Sequence, residues 1–157
     1  MNPDEVVLRP ILPADEEFLL QVYASTRDAE MAMVSWSAEQ KAAFVRMQFE
    51  AQRDHYRAQF PQAACSIVQH QGRDVGRLYV VREPERIHVL DVTLLPQCRG
   101  AGIGTLLLRR LQDEGSHSGR PVTIYVESFN PSLRFFAGLG FRREKEEGIH
   151  CLLQWMP

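Results

Sequence analysis

The sequence predicts a mixed α/β protein of the α+β class, in which a central mixed sheet carries helices on its faces. Apolar residues recur at helical spacing in three long segments, while β-rich runs occupy much of the remaining chain. Three of these runs follow one another with no helix between them, which is typical of an antiparallel meander. This order of elements excludes a doubly wound parallel sheet.

The first half of the chain predicts one strand and two helices. A strand over residues 6–9 ends at a pair of prolines, and acidic residues favour a helix from about residue 15 to 25. A loop that contains Trp36 follows, and Ser37 can cap a second helix over residues 39–56. That helix has no internal glycine or proline, so we expect it to be long.

The second half predicts a meander, a helix, a strand, a short helix and a hairpin. Residues 64–70 and 75–82 flank the polar turn 71–74, and a third strand covers 86–95. A leucine-rich helix over 105–117 follows a glycine loop, and a further strand covers 121–127. Asn130 and Pro131 start a short helix that glycines end, and residues 141–143 and 150–155 form the last hairpin. The predicted order is β-α-α-β-β-β-α-β-α-β-β.

Composition and charge are those of an ordinary globular domain. The chain has 157 residues, 45% of them hydrophobic and 24% charged, with a net charge of -2. This size predicts a single domain over residues 1–157, and this charge gives no reason to expect nucleic-acid binding. The N-terminus lacks an apolar leader and no apolar run is long enough to span a bilayer, so we expect no membrane association and a cytoplasmic location.

The three cysteines do not predict a disulfide or a metal site. Cys65, Cys98 and Cys151 are scattered and have neither CxxC nor Cys/His ligand spacing. We therefore expect reduced thiols, two of them in strands, and no bound metal.

The segment QCRGAGIG, residues 97–104, predicts an anion-binding turn. Gly100, Gly102 and Gly104 alternate between a strand and a helix, where the first helical N–H groups point outward at the positive end of the helix dipole. Without Cβ atoms these amides can approach a phosphate closely, and Arg99 can add a charge-assisted contact. A pyrophosphate is the group that best fits such a loop.

Two other phosphate-binding motifs do not match this loop. The P-loop requires a lysine after its last glycine, whereas Gly104 is followed by Thr105. The dinucleotide fingerprint requires a different glycine spacing and a βαβ unit, whereas this loop follows a meander. The residues around this loop therefore exclude both the P-loop and the dinucleotide fingerprint.

Two motifs together resemble those of the GNAT superfamily of acetyl-CoA-dependent N-acetyltransferases. Residues 97–104, QCRGAGIG, are similar to the Q/RxxGxG/A signature of that superfamily. Residues 130–141, NPSLRFFAGLGF, resemble its later NPxxxxYxxLGF block. Both motifs occur in the family order, and the predicted elements agree with the family fold over nearly the whole chain.

The resemblance implies the fold and the cofactor site. We expect six to seven strands, mostly antiparallel, with acetyl-CoA held where the fourth and fifth strands splay into a V. Strand 4 would pair with the pantetheine arm and offer an amide to the thioester oxygen, and Asn130 would contact the pantetheine or cap its own helix. The implied cofactor-binding residues are Val92, Leu94, Leu95, Arg99, Gly100, Ala101, Gly102, Ile103, Gly104, Thr105, Asn130 and Phe136.

Phe136 departs from the family pattern at a position that bears on the chemistry. Many relatives carry a tyrosine there, close to the sulfur, where its hydroxyl can protonate the leaving thiolate. A phenyl ring has no proton to give, so solvent, another residue or the substrate amine must protonate the leaving thiolate. The same substitution motivates an alternative function, a non-catalytic acyl-CoA-binding regulator.

His88, Glu127 and Asp91 are the candidate catalytic residues. The reaction implied is direct attack of a neutral primary amine on the thioester, which requires a route for the amine proton. Counting back from Leu94 places His88 on the strand face of Val92, where some relatives carry a catalytic glutamate, and Asp91 on the other face. Asp91 lies in an apolar run and needs a partner, whereas Glu127 ends the fifth strand beside the expected V.

The acceptor is predicted to be an amine of a small molecule, an amino acid or a protein. The family builds its acceptor pocket from the first two helices, their loop and the third and fourth strands, so Trp36 and Tyr79 are candidate substrate-binding residues. Glu127, which ends the fifth strand beside the expected V, is the third. Several arginines, Arg57 and Arg77 among them, could bind a substrate carboxylate. The open edges of a mixed sheet make a homodimer plausible.

Overall fold

A computed structural model describes residue 2 and residues 5–157, and the elements below lie within those residues. The α-helices are α1 (Glu16–Ser25), α2 (Asp28–Ala32), α3 (Ala38–Gln59), α4 (Ile103–Ser118) and α5 (Leu133–Gly138). The strands are β1 (Val6–Pro10), β2 (Ala64–His70), β3 (Arg73–Arg82), β4 (Ile87–Leu94), β5 (Val122–Glu127), β6 (Arg142–Glu147) and β7 (His150–Trp155).

The strands form one seven-stranded sheet in the order β1-β2-β3-β4-β5-β7-β6. Neighbouring strands are antiparallel except β4 and β5, which run parallel. A large apolar core on one face contains Leu107, Leu108 and Leu111 of α4 together with Phe136 of α5. A smaller core on the other face joins α1 and α3 to the sheet. The predicted fold class, a mostly antiparallel sheet with helices on both faces, is confirmed.

The parallel strands β4 and β5 are hydrogen-bonded at one end only. Their register runs from Ile87 opposite Val122 to Val89 opposite Ile124 and then stops. Beyond that point residues 90–94 and 125–127 diverge, and each strand stays paired only with its other neighbour. The predicted splay between the fourth and fifth strands is therefore present.

An extra residue in β4 changes which side chains share a face. Tyr79 of β3 is opposite Asp91 while Val80 is opposite Val89, so Leu90 has no partner of its own and forms a β-bulge. The predicted alternation, which placed His88 on the face of Val92 and Asp91 on the other, is wrong for this reason. Val89 and Val92 both pack on the core beneath α4, and His88 lies on the same face as Asp91.

Other differences from the prediction are short elements and boundaries. Helix α2 lies in the segment that is predicted as a loop. The sequence does not predict it because five residues are too few to show a helical period. Helix α5 begins at Leu133, after a turn at Asn130 that the sequence suggested as its start. Strand β6 is longer than predicted. Its six residues are all exposed, so the sequence shows no alternation of apolar and polar residues that would mark its full length. Within the described residues, no helix is both long and apolar enough to cross a membrane.

Candidate functional site

The splay between β4 and β5 opens into a cavity of about 810 Å³. One end is bounded by the loop before α4 and by α5, and the other end by α1, α3 and β3. We call these the loop end and the helix end of the V cavity. The two ends differ in chemistry, because the loop end presents backbone groups and the helix end presents charged and phenolic side chains.

At the loop end, two glycines adopt the left-handed backbone that starts α4. Gly100 has φ 83° and Gly102, which precedes the first helical residue, has φ 85°. No side chain caps the helix, and the backbone N–H groups of residues 100–105 donate to no acceptor among the described residues. A run of unpaired N–H groups at a helix N-terminus favours an anionic ligand.

Arg99 lies beside this loop and keeps most of its guanidinium available. Its Nε donates to the carbonyl oxygen of Leu94 at 3.1 Å, which ties the arginine to the end of β4. The side chain forms no ion pair with the part of the chain that the structure describes. Its positive charge is therefore not neutralised by the protein and adds to the attraction for an anion.

The edge of β4 that faces the V cavity has no neighbouring strand. Residues 91–94 are paired with β3 on one side, and β5 does not pair with them on the other. Leu90, Val92 and Leu94 all line the cavity. An extended chain of amide groups could pair with this edge as an added strand would.

The α5 side of the loop end is aromatic. Phe136 is 4% exposed, lines the cavity and packs edge-on against Phe141, with 5.6 Å between ring centroids. Phe135, which is 40% exposed, lies against Gly104. Asn130 Oδ1 accepts a hydrogen bond from the backbone N–H of Ser132 at 2.8 Å, so it stabilises the turn before α5 and also lines the cavity.

At the helix end, a buried ion pair joins β3 to β4. Arg77 donates through Nη2 to Asp91 Oδ2 and, at 2.8 Å, to Gln52 Oε1. Thr93 Oγ1 donates to the other carboxylate oxygen of Asp91 at 2.6 Å. Burial by itself lowers the pKa of Arg77, but attraction to Asp91 raises it overall. The expectation that Asp91 has a partner is confirmed.

Tyrosine side chains surround this ion pair. The guanidinium of Arg77 lies over the rings of Tyr79, at 5.0 Å, and Tyr23, at 5.9 Å. Tyr56 donates its hydroxyl to the carbonyl oxygen of Leu90, the bulge residue, at 3.3 Å. Burial, with the nearby charge of Asp91, raises the pKa of Tyr56, so its phenol stays protonated at neutral pH. It can act as a hydrogen-bond donor and not as a base.

Glu127 is the carboxylate of the V cavity that lacks a counter-charge. It ends β5 opposite His150 of β7, lines the cavity and is half-buried. No cationic side chain among the described residues pairs with it. A protonated amine is the kind of group that such a carboxylate attracts.

The V cavity brings most of the sequence-predicted residues together. Those that line it are Asp91, Val92, Leu94, Arg99, Gly100, Gly102, Ile103, Gly104, Thr105, Asn130, Phe136 and Glu127. Leu95, Ala101, His88, Trp36 and Tyr79 do not line it. Trp36 is exposed and packs edge-on against Phe44, with 5.2 Å between ring centroids. Tyr79 lines a second cavity next to Arg77.

His88 is buried and does not line the V cavity. Its Nδ1 lies 2.7 Å from Thr123 Oγ1, and its ring packs edge-on against Tyr125. Burial, with the nearby charge of Arg86, lowers the pKa of His88 to about 4. The imidazole is therefore neutral at physiological pH and is a weak base there. Its catalytic role stays a prediction without a contact to the cavity.

Several cavity residues were not predicted as parts of a site. Tyr23, Gln52 and Arg27 belong to α1, α3 and the turn after α1, and Phe135 belongs to α5. Gln52 and Tyr56 are four residues apart, so helical spacing places them on one face of α3. That face could be found from the sequence, but its position over β4 depends on the packing of the whole sheet.

A comparison with protein families matches residues 32–157 to the acetyltransferase (GNAT) domain. No curated protein matches the chain at a significant level. Acetyl-CoA is the acetyl donor that GNAT enzymes use, so the predicted cofactor is confirmed. Membership also supports acyltransferase activity in general terms.

Solved structures share the fold over almost the full length of the chain. The PaiA N-acetyltransferase of Thermoplasma acidophilum, solved in complex with coenzyme A, is 18% identical, covers 97% of this chain and 99% of its own, and has a TM-score of 0.72. An acetyltransferase of Thermus thermophilus is 20% identical over all of both chains, with a TM-score of 0.68. A GNAT family acetyltransferase of Elizabethkingia anophelis, solved with acetyl-CoA bound, is 15% identical over 98% of this chain and 99% of its own, with a TM-score of 0.62. The glycine loop, the splayed parallel strands and the family match agree, and the chain belongs to the GNAT family of acetyltransferases.

Proposed function

We propose that the protein is an N-acetyltransferase that moves an acetyl group from acetyl-CoA to a primary amine of a small molecule, an amino acid or a protein. The amine would attack the thioester directly. The observation that carries the proposal is the V cavity, which joins an anion-binding loop to a pocket with an unpaired carboxylate. The loop and Arg99 would attract a phosphorylated donor, and the carboxylate of Glu127 would attract a cationic acceptor.

The loop end fits the donor. The unpaired N–H groups of residues 100–105 and the charge of Arg99 would bind the pyrophosphate. The free edge of β4 would pair with the pantetheine arm, and the bulge at Leu90 would present a backbone amide to the thioester oxygen. Acetyl-CoA supplies an acetyl group that is activated as a thioester.

The carboxylate of Glu127 fits the acceptor. Glu127 would bind the ammonium form of the amine and accept or relay its proton, because no cation neutralises this carboxylate among the residues that the structure describes. Asp91 is less suited to this role, since Arg77 and Thr93 already occupy both of its oxygens. Both residues, with His88, stay candidate catalytic residues.

Phe136 leaves the protonation of the leaving thiolate to another group. Tyr125 lines the same cavity and carries a hydroxyl, and solvent also reaches the cavity. The proton that the amine loses is a further source. We propose that the reaction proceeds without a dedicated acid on α5.

An amine panel with free-thiol detection tests the function. We expect release of coenzyme A thiol that depends on both acetyl-CoA and an amine. Glu127→Gln should raise KM for the amine by roughly tenfold, as expected for the loss of a charge-assisted contact. It should leave the affinity for acetyl-CoA unchanged. Glu85→Gln, at an exposed position outside the cavity, is the matched control.

A non-catalytic acyl-CoA-binding regulator is the second candidate, favoured by Phe136. Binding of acetyl-CoA without any amine-dependent thiol release would select it over the enzyme. Absence of acetyl-CoA binding at millimolar concentration would contradict both functions. A Phe136→Tyr variant that gains thiol release where the wild type has none would show that the missing hydroxyl accounts for the absence of activity.

Three further expectations stay proposals. We propose that residues 1–157 form a single domain, that the protein works in the cytoplasm and that it forms a homodimer. Limited proteolysis, cell fractionation and light scattering of the purified protein test them in turn.

A further inference from the structure

A second cavity, of about 250 Å³, lies beside the V cavity and has no role in the acetyl-transfer proposal. It is enclosed by the C-terminal half of α3, the turn that follows, α1 and the strands β2 and β3. Four aromatic rings form much of its wall: Phe49, Tyr56, Phe60 and Tyr79. Such walls favour an apolar ligand that can pack against ring faces and edges.

The charged groups at this second cavity leave one guanidinium without a partner. Arg53 is paired with two carboxylates, Glu16 at 2.5 Å and Asp54 at 3.0 Å. Arg77 is paired with Asp91. Arg57, exposed at the cavity, has no hydrogen bond or ion pair within the part of the chain that the structure describes. Its guanidinium is thus available to a ligand.

A second donor at this cavity is also unpaired. Arg77 is 2% exposed, and its Nε has no hydrogen-bond partner among the described residues even though the neighbouring Nη2 is fully engaged. A buried donor without an acceptor is costly and marks a place where a ligand or an ordered water supplies one. Both unpaired donors, Arg57 and Arg77 Nε, belong to cations that line the same small space.

We propose that the second cavity binds a small apolar carboxylate, with the apolar part between the aromatic rings and the carboxylate on Arg57. A guanidinium binds a planar carboxylate through two parallel hydrogen bonds. An amine or a neutral ligand would leave Arg57 without an anionic partner. The aromatic lining makes aryl carboxylates the best match.

The cavity shares a wall with the helix end of the V cavity. Gln52, Tyr56 and Arg77 line both spaces. The carboxylate could therefore belong to the acceptor itself, as the far end of an aromatic amino acid, or to a separate molecule that modulates the enzyme. The chemistry recognised by the second cavity is the same in both cases.

Direct titration of the full chain with 3-phenylpropionate tests the proposal without relying on activity. We expect binding in calorimetry, and binding at least roughly tenfold weaker for 3-phenylpropanamide, which lacks the charge. Arg57→Gln should remove this preference. Arg46→Gln, on the same helix but in an exposed pair with Glu17 and outside both cavities, should keep it.

A cavity-filling variant and a thiol probe locate the ligand. Ala63→Leu should abolish binding of 3-phenylpropionate by occupying the second cavity, while acetyl-CoA still binds. The acid should also slow alkylation of Cys65, which lines this cavity, and leave Cys98 unaffected, as peptide mass spectrometry would show. Equal affinity for acid and amide, or unchanged binding by both Arg57→Gln and Ala63→Leu, would overturn the proposal.

Inhibition kinetics separate the two sources of the carboxylate. Competition of 3-phenylpropionate with the acceptor amine would assign the second cavity to the acceptor, and we would then expect phenylalanine to be a better acceptor than phenethylamine. Inhibition or activation that is not competitive with the amine would assign it to a separate effector. If no acetyl transfer is found, the titration still decides whether the carboxylate site exists.

Discussion

Gly102 and Gly119 cap the two ends of α4 with the same left-handed backbone, at φ 85° and 69°, but only Gly102 faces the V cavity. Alanine at either position is expected to cost roughly 1–2 kcal/mol of the free energy of unfolding. Gly102→Ala should also raise the Kd of acetyl-CoA by at least about tenfold, because its Cβ and the strained backbone would disturb the N–H groups that we propose bind the pyrophosphate. Gly119→Ala should not change that Kd.

Urea denaturation and calorimetric titration of both variants provide the measurement. If the two variants bind acetyl-CoA equally well, the loop before α4 is not the pyrophosphate site.

His88 predicts a pH dependence of stability. Its pKa is lowered by burial from 6.5 to about 4 in the folded chain, so the unfolded chain binds the proton more tightly. The contribution of neutral His88 is complete above pH 6.5 and is lost as the pH falls towards 4. His88→Gln, which cannot titrate, should flatten this part of the unfolding curve when stability is measured by urea denaturation across that range. An unchanged pH dependence in the variant would show that other groups cause the loss.

At the scale of elements, α3 owes its N-terminus to a reciprocal pair of hydrogen bonds. Ser37 Oγ accepts from the N–H of Gln40 at 3.1 Å, and Gln40 Oε1 accepts from the N–H of Ser37 at 3.0 Å. Ser37→Ala should lower the free energy of unfolding by about 1 kcal/mol, whereas Ser37→Asp should retain most of it. Chemical denaturation monitored by circular dichroism measures both, and equal stability of the two variants would contradict the capping role.

Elements with strong local signals could be predicted from the sequence. The glycines before α4 and the leucines within it fix that helix and the loop end of the V cavity, because both depend on residues that are adjacent in the chain. Ser37 likewise predicts the start of α3. Helix α2 and the exposed strand β6 carry no such pattern: α2 buries no residue, and β6 is a strand through its pairing with β7.

The helix end of the site could not be predicted in the same way. Gln52, Arg77 and Asp91 come from a helix and two strands, and their contacts exist only once α3 has packed on the sheet. The bulge at Leu90 reverses the alternation of β4, so a strict period of two assigns His88 to the wrong face. A single inserted residue in a ladder has no reliable signature in a single sequence.

At the scale of the whole molecule, the two sheet edges differ in how they meet solvent. Edge strand β6 has the sequence RREKEE and is fully exposed, and such a row of charges disfavours pairing with another chain. Edge strand β1 exposes Val7 and Leu8, at 46% and 43%. We therefore expect the proposed homodimer, if formed through a sheet edge, to use β1.

The short parallel contact between β4 and β5 divides the sheet into two plates that pair with each other over only a few residues. One plate comprises β1 to β4 and the other β5 to β7. Within the described residues their strands are in register only at 87–89 and 122–124, and the Ile87 N–H also donates to the Pro121 carbonyl oxygen. Acetyl-CoA in the splay would bridge the plates, so we expect it to slow deuterium uptake in both β4 and β5 while β1 and β2 stay unchanged. Hydrogen exchange with mass spectrometry measures this, and protection confined to the loop before α4 would contradict it. The ligand would then act as a missing stretch of hydrogen-bonded ladder, and the rigidity of the protein would depend on whether its acetyl donor is bound.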